Sequence, residues 1–291
     1  DSLISYAEAE AVTSLDVHGE IFCSRLGCGP RGNIYDLTGI EAFINLDSLN
    51  IEGNRIEYLD LSENINLLYL NCAYNSLPNL NVSENAILQS LICYRNQLTA
   101  LDVSNNLDLE YLSCYLNSLT SLDVSGCAAL IELSCSGNQL TSLDVSGCIK
   151  LKHLICGCCG RCRSNQLTSL DVSGCTALEY LNCRCNCLTS LDVSGCTALS
   201  ELTCSKNQLT SLDVSGCTAL TYLSCHENQL TSLNISGCAA LTELYCTDNQ
   251  LISLDGSNNT ALSELTCSNN QLTSLDVSGC TALTYLSCHE N

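Results

Sequence analysis

The sequence has no Trp, no Met, and only 2 Pro and 2 Phe in 291 residues, and its 10 Lys+Arg stand against 31 Asp+Glu. Each scarcity narrows the reading. A formal charge of −21 repels phosphate backbones and anionic lipid surfaces, which argues against a nucleic-acid partner. No run approaches the roughly 18 consecutive apolar residues of a spanning helix, so no membrane span is expected. The first residues lack the basic and apolar regions of a signal peptide, and the chain is expected to be a processed, soluble product. The four histidines are scattered, and no Ser-His-Asp arrangement, phosphate loop or H-E-x-x-H occurs, so no enzyme is expected. Disorder is excluded by a 46% apolar content.

What is present is leucine and cysteine at fixed intervals. First-position leucines fall at Leu46, Leu67, Leu88, Leu109, Leu130, Leu151, Leu178, Leu199, Leu220, Leu241, Leu262 and Leu283, every step being 21 residues except one of 27. The unit reads L-x-x-L-x-C-x-x-N-x-L-x-x-L-D-V-S-x-x-x-x, and Gln208 to Asn228 recurs unchanged as Gln271 to Asn291. A unit this short cannot enclose its own leucines. Stacked coils can, each giving a short strand at positions four to six that pairs in parallel about 4.8 Å from the next. The Asn at position nine, from Asn54 through Asn291, is expected to donate and accept backbone bonds as a ladder.

These residues resemble the leucine-rich repeat. The short unit, its L-D-V-S segment and the cysteine at position six are similar to the cysteine-ladder members of the internalin family and related bacterial surface proteins. The stretch Asp36 to Phe43 resembles the segment leading into the first repeat of such proteins. The fold expected is an α/β-class solenoid, a right-handed superhelix with one short parallel strand per 21-residue coil and few or no helices. An N-terminal cap over residues 1–45 carries an inserted stretch with Cys23 and Cys28. A solenoid of about 12 coils follows over 46–291, with an insertion at 157–162. The resemblance implies an exported, non-enzymatic adhesion protein on or outside a bacterial cell.

Eleven of the 25 cysteines occupy position six, from Cys72 to Cys288, and are expected to be buried, inert thiols. In-register Cβ atoms about 4.8 Å apart exceed the roughly 3.8 Å that a disulfide prefers. A second column lies in the S-G-C turn (Cys127, Cys148, Cys175, Cys196, Cys217, Cys238 and Cys280), where other coils hold Asn85, Asn106 or Asn259; this too reads as packing. Cys23 and Cys28 form a candidate local disulfide in an oxidising compartment. The remaining five, Cys158, Cys159, Cys162, Cys185 and Cys187, gather around the insertion, with Lys150, Lys152, Arg161, Arg163 and Arg184 nearby. Three readings stay open there: disulfides to the neighbouring coil, a thiolate metal site for Zn or an iron–sulfur cluster, or a partner-contact loop. No other cofactor is expected.

Positions three, five, seven and eight of each coil are expected to face one broad surface. Nine of the 12 tyrosines fall on these positions. Position three carries Tyr69, Tyr111, Tyr180, Tyr222 and Tyr285, interspersed with Glu132, Glu201, Glu243 and Glu264. Tyr94 and Tyr115 stand at seven, Tyr74 at eight and Tyr245 at five. Tyrosine suits recognition through its large area and polar tip, and it also suits plain cross-strand packing. Tyr69, Tyr111, Tyr180, Glu201, Tyr222, Glu243 and Tyr245 are the candidate binding residues, for a protein or a glycan. The D-V-S aspartates are expected to cap Asx-type turns. Ser5 and Glu8 suggest a capping box and a short helix over 5–12. The chain stops nine positions into a coil, which predicts either a piece of a longer protein or a bare coil end that self-associates head to tail into a filament.

Overall fold

Positions one, four, eleven and fourteen supply the leucines, and a chain that must turn inward that often has room for strands of only three residues. The computed structural model describes residues 5–24, 27–158 and 164–291, with side chains described among these except at 22–24 and 27–28. Two compact units divide the chain, Asp1–Leu140 and Thr141–Asn291.

The first unit opens with α1 (Tyr6–Glu10), whose capping box is complete: the Glu8 N–H donates to Ser5 Oγ, and the Ser5 N–H donates to Glu8 Oε2 at 2.8 Å. The strands are β1 (Ser14–Asp16), β2 (Ile21–Ser24), β3 (Gly27–Pro30), β4 (Ser48–Asn50), β5 (Tyr69–Asn71), β6 (Ser90–Ile92), β7 (Tyr111–Ser113) and β8 (Glu132–Ser134). β2 and β3 form an antiparallel hairpin. The rest pair in parallel in the order β1-β4-β5-β6-β7-β8, with like repeat positions side by side.

In the second unit β9 (His153–Ile155), β10 (Tyr180–Asn182), β11 (Glu201–Thr203), β13 (Tyr222–Ser224), β15 (Glu243–Tyr245), β17 (Glu264–Thr266) and β19 (Tyr285–Ser287) form the parallel row. One strand per coil proves too few here. β12 (Ser211–Asp213) pairs with β14 (Ser232–Asn234), and β16 (Ser253–Asp255) with β18 (Ser274–Asp276), on the D-V-S side. The S-L-D segment is extended before its turn, and the Thr231 N–H reaches Thr210 O at 2.9 Å, so neighbouring segments exchange bonds as strands do.

Inside, the position-four leucines from Leu49 to Leu265 are at most 1% exposed. The Asn ladder stands as expected. Asn207 is typical: its Nδ2 donates to Cys183 O (3.1 Å) in the preceding coil and Cys204 O (2.9 Å) in its own, while its Oδ1 accepts from the Leu188 N–H (3.0 Å). The aspartates cap their turns, as where the Ser215 N–H donates to Asp213 Oδ1 at 2.9 Å.

The position-six cysteines are free thiols, buried except for Cys288. Burial pushes Cys72, Cys114, Cys156 and Cys204 up to about 12. The turn column explains the exchange of Cys with Asn. Asn85 Nδ2 donates to Leu61 O and Asn64 O, and Asn106 and Asn259 repeat this. Cys196, Cys217 and Cys238 keep the first of these bonds through Sγ, at 3.6, 3.4 and 3.1 Å. The asparagines also bury an Oδ1 with no partner, at Asn64, Asn85, Asn106 and Asn259. Cysteine gives up one donor bond and removes that orphaned acceptor, whose burial costs about 1–3 kcal/mol.

Two outcomes follow from this packing. Asn207→Ala strands three backbone groups and is expected to cost at least about 3 kcal/mol in urea unfolding, and Asn207→Asp, which sets a carboxylate against two carbonyls, also destabilises. The second concerns alkali. The thiol pKa values are higher folded than unfolded, so their contribution is complete below the unfolded value near 9 and is lost as pH rises from there toward about 12. Each such thiol removes about 1.4 kcal/mol per pH unit in that window. The chain is expected to unfold steeply above about pH 9, with thiolate absorbance and loss of circular dichroism rising together; separate transitions would refute the linkage.

Candidate functional site

Residues on either side of an inward leucine point away from the core, so positions three and five should both line the outer face. Position three does. Position five differs from expectation, because Asn71, Ser113, Asn182 and Ser224 are buried. A tyrosine stands two residues before each of them, and burial is the main cause pushing the Tyr69, Tyr111 and Tyr222 phenols up. Small residues at five therefore form a floor beneath position three, under Glu132 at Ser134 as well as under the tyrosines.

In the second unit the register sets Tyr180, Glu201, Tyr222 and Glu243 on four successive strands, followed by Glu264 and Tyr285. Tyr245, at position five, stands beside Tyr222 with ring centroids 5.5 Å apart and tilted by 43°. Its hydroxyl donates to Glu243 Oε2 at 2.9 Å, and its pKa is raised by burial and then by its bonds to Glu243 and Glu264. Two carboxylates directly opposite one another repel, and the tyrosine hydroxyl offsets this in part. His153 stands edge-on to Tyr180 at 6.3 Å.

Cations lie along the next positions of the same coils. Lys206 Nζ is 3.0 Å and His226 Nδ1 3.3 Å from Glu227 Oε1. Burial is the main cause that lowers the His226 pKa, with the Arg184 and Lys206 charges adding to it against the opposing pull of Glu227. Between Arg184 and His226 in the column lies Ser205; the Arg184 Nε and Ser205 Oγ are buried without a partner.

In the first unit Tyr69 and Tyr111 are not neighbours, since Ser90 separates them. The tight aromatic contact lies elsewhere, at positions seven and eight. Tyr94 and Tyr115 stack at 4.3 Å and 8°, Tyr74 meets Tyr94 edge-on at 5.4 Å, and Arg95 sits 5.0 Å from the Tyr74 centroid. Glu52 Oε1 accepts from the Tyr94 hydroxyl at 2.9 Å. Consecutive tyrosines 21 residues apart were the sequence signal for this stack; the Glu52 contact had none. The left-handed backbone at position eight had none either: Tyr74, Arg95, Leu116, Cys185, Lys206 and Glu227 all have φ between 51° and 57°.

Of the insertion cysteines, Cys158 is buried and Cys185 and Cys187 are half-buried, all as free thiols; Cys159 and Cys162 lie outside the described residues. Among the described residues no three His, Cys, Asp or Glu side chains come together as metal ligands. Cys23 and Cys28 are directly opposite in the β2–β3 hairpin by backbone register; their side chains lie outside the description.

A family model described as a leucine rich repeat matches residues 184–200. The internalin InlF of Listeria monocytogenes shares the fold over 99% of this chain and 84% of its own, at 23% identity and a TM-score of 0.80. The chain is a leucine-rich repeat protein. Its 21-residue coils are internalin-like. The functional domain of InlJ from the same organism, which includes a cysteine ladder, is 33% identical over 96% of this chain and 72% of its own, with a TM-score of 0.49. The plant peptide hormone receptor RGFR1, solved in complex with RGF2, matches 87% of this chain and 45% of its own at 23% identity and a TM-score of 0.71. No curated protein sequence matches this leucine-rich repeat chain.

The Tyr94–Tyr115 stack supplies a prediction. A double-mutant cycle of Tyr94→Ala and Tyr115→Ala in denaturant unfolding should return a coupling of about 0.5–1.5 kcal/mol; additive losses would mean that the rings contribute independently.

Proposed function

We propose that this chain is a non-enzymatic interaction module of a secreted or surface-attached bacterial protein, and that it binds a protein partner through the strand face. The row Tyr180–Glu201–Tyr222–Glu243, in register on adjacent strands of the second unit, carries the reading. It combines rigid aromatic area with carboxylates at a fixed spacing. Tyrosine anchors give binding energy at small entropic cost, and carboxylates on alternate strands select basic groups at matching intervals. The flanking Lys206, His226 and Glu227 cluster adds a second charge pattern, which favours a protein with both signs on its surface. Internalin-like proteins and a peptide hormone receptor share the fold, and no described helix is long and apolar enough to cross a membrane.

The test is an array of surface-exposed proteins with a parallel glycan array, both probed with the wild-type chain and with variants. A protein ligand is expected whose affinity falls at least about tenfold, roughly 1.4 kcal/mol, with Tyr222→Ala and again with Glu243→Ala. Asp213→Asn, on the opposite side of the coil and able to keep its turn, should bind as wild type. Binding that survives both face substitutions, or that goes to glycans alone, overturns the proposal.

A further inference from the structure

The columns assign most thiols to packing and leave a few over. At position eight other coils place Tyr74, Arg95, Leu116, Lys206, Glu227 and Asp248, whereas two adjacent coils both place cysteine, Cys158 and Cys185. The coil-to-coil ladder fixes both. The Cys158 N–H donates to Arg184 O at 3.1 Å, and the Cys185 N–H to Ser205 O at 3.0 Å. At Gly157 a Cβ would strike the backbone of Cys183 and Arg184, so the two coils approach with only glycine between them just before Cys158. Cys185 has the left-handed φ of its column, 56°, whereas Cys158 does not, so the two backbones do not repeat one another as those of the position-six residues do. Burial first, and the neighbouring Cys158 next, raise the Cys185 pKa. Cys158 is buried and Cys185 half-buried, so the pair is covered on one side and reachable on the other. Cys187 stands at position ten, where the adjacent coils place Gln166 and Gln208, and has no thiol beside it in its column.

The geometry points to Cys158 and Cys185 as an oxidisable pair that forms a coil-to-coil disulfide with a small disulfide such as oxidised glutathione, clamping the base of the 157–162 insertion onto the following coil. The exchange balances. The Cys185 thiolate attacks one sulfur of the small disulfide, that S–S bond breaks, and one thiolate leaves. The Cys158 thiolate then attacks the Cys185 sulfur and expels the second. The protein pair gives up two electrons and two protons, and the oxidant becomes two thiols. A short connection at this place links the coil that carries the insertion to the one after it, and reduction breaks the link. The position-six thiols of the coils around the pair, Cys156, Cys183 and Cys204, take no part, being wholly buried and out of an oxidant's reach; the exposed Cys288 lies in the last coil, away from this pair.

The experiment treats the full chain with excess oxidised glutathione, blocks remaining thiols with iodoacetamide, and maps linked peptides by mass spectrometry. Apart from Cys23 and Cys28, one protein disulfide is expected, between Cys158 and Cys185, with the thermal midpoint raised by several degrees and restored by dithiothreitol. Cys187→Ser should form the same bond. Cys158→Ser and Cys185→Ser should each lose the bond and the shift, and because both keep a near-isosteric side chain, their folding is checked by circular dichroism in reducing buffer. A bond from either residue to Cys159, Cys162 or Cys187, or a stable glutathione adduct at Cys185 that never resolves, overturns the assignment.

Discussion

Each coil leaves two backbone groups, a carbonyl and an N–H, that the asparagine of the coil after it satisfies. That loan between neighbours is the constraint on which the structure depends. Asn96 shows it plainly: its amide donates to Cys72 O one coil back and to Cys93 O in its own coil, while its carbonyl accepts from the Leu77 N–H. Since the reach of one amide fixes the offset between coils, a shift of one residue would break every such triplet at once. Leucine burial supplies most of the driving force, but leucine is non-directional and would tolerate slippage. The asparagine does not.

With register fixed in this way, column identity becomes the unit of explanation. A position-six thiol has packed neighbours of its own kind above and below it. A turn-column cysteine has a carbonyl within reach of its Sγ, and a D-V-S aspartate has its serine N–H. Eight of the 31 acidic residues belong to this last device and reflect turn construction. Residues that deviate from their column, such as Arg184 with its unpartnered Nε or the paired cysteines at position eight, are where chemistry beyond scaffolding is concentrated.

Periodicity made the solenoid, the free thiol ladder, the Asx turns and the capping box legible in the sequence, because each rests on residues whose geometry is local or repeats at 21. The extra strands β12, β14, β16 and β18 were not legible, since their S-L-D segments look the same in coils where only isolated pairings form, as at Asp144 and Asp171. Nor was the burial of position five, which is found after a tyrosine at Asn71, Ser113, Asn182 and Ser224 and also after Glu132 at Ser134. Tyr180, Glu201, Tyr222 and Glu243 lie together as alternation suggested; Tyr69 and Tyr111 do not, because a serine strand intervenes. The left-handed column escaped notice because Tyr, Arg, Leu and Lys carry no preference for that backbone, which the coil imposes from outside.

The one lengthened coil interrupts nothing downstream. After six additional residues Asn165 donates to Cys156 O at 3.0 Å, Leu167 bonds to Asn186 Oδ1 at 3.1 Å, and Cys175 still finds Val145 O at 3.4 Å. Chain length at this bend is thus decoupled from the spiral. A foreign sequence spliced there would leave the register of the coils after it unchanged, so the repeat can take on added length at this point without renegotiating the core.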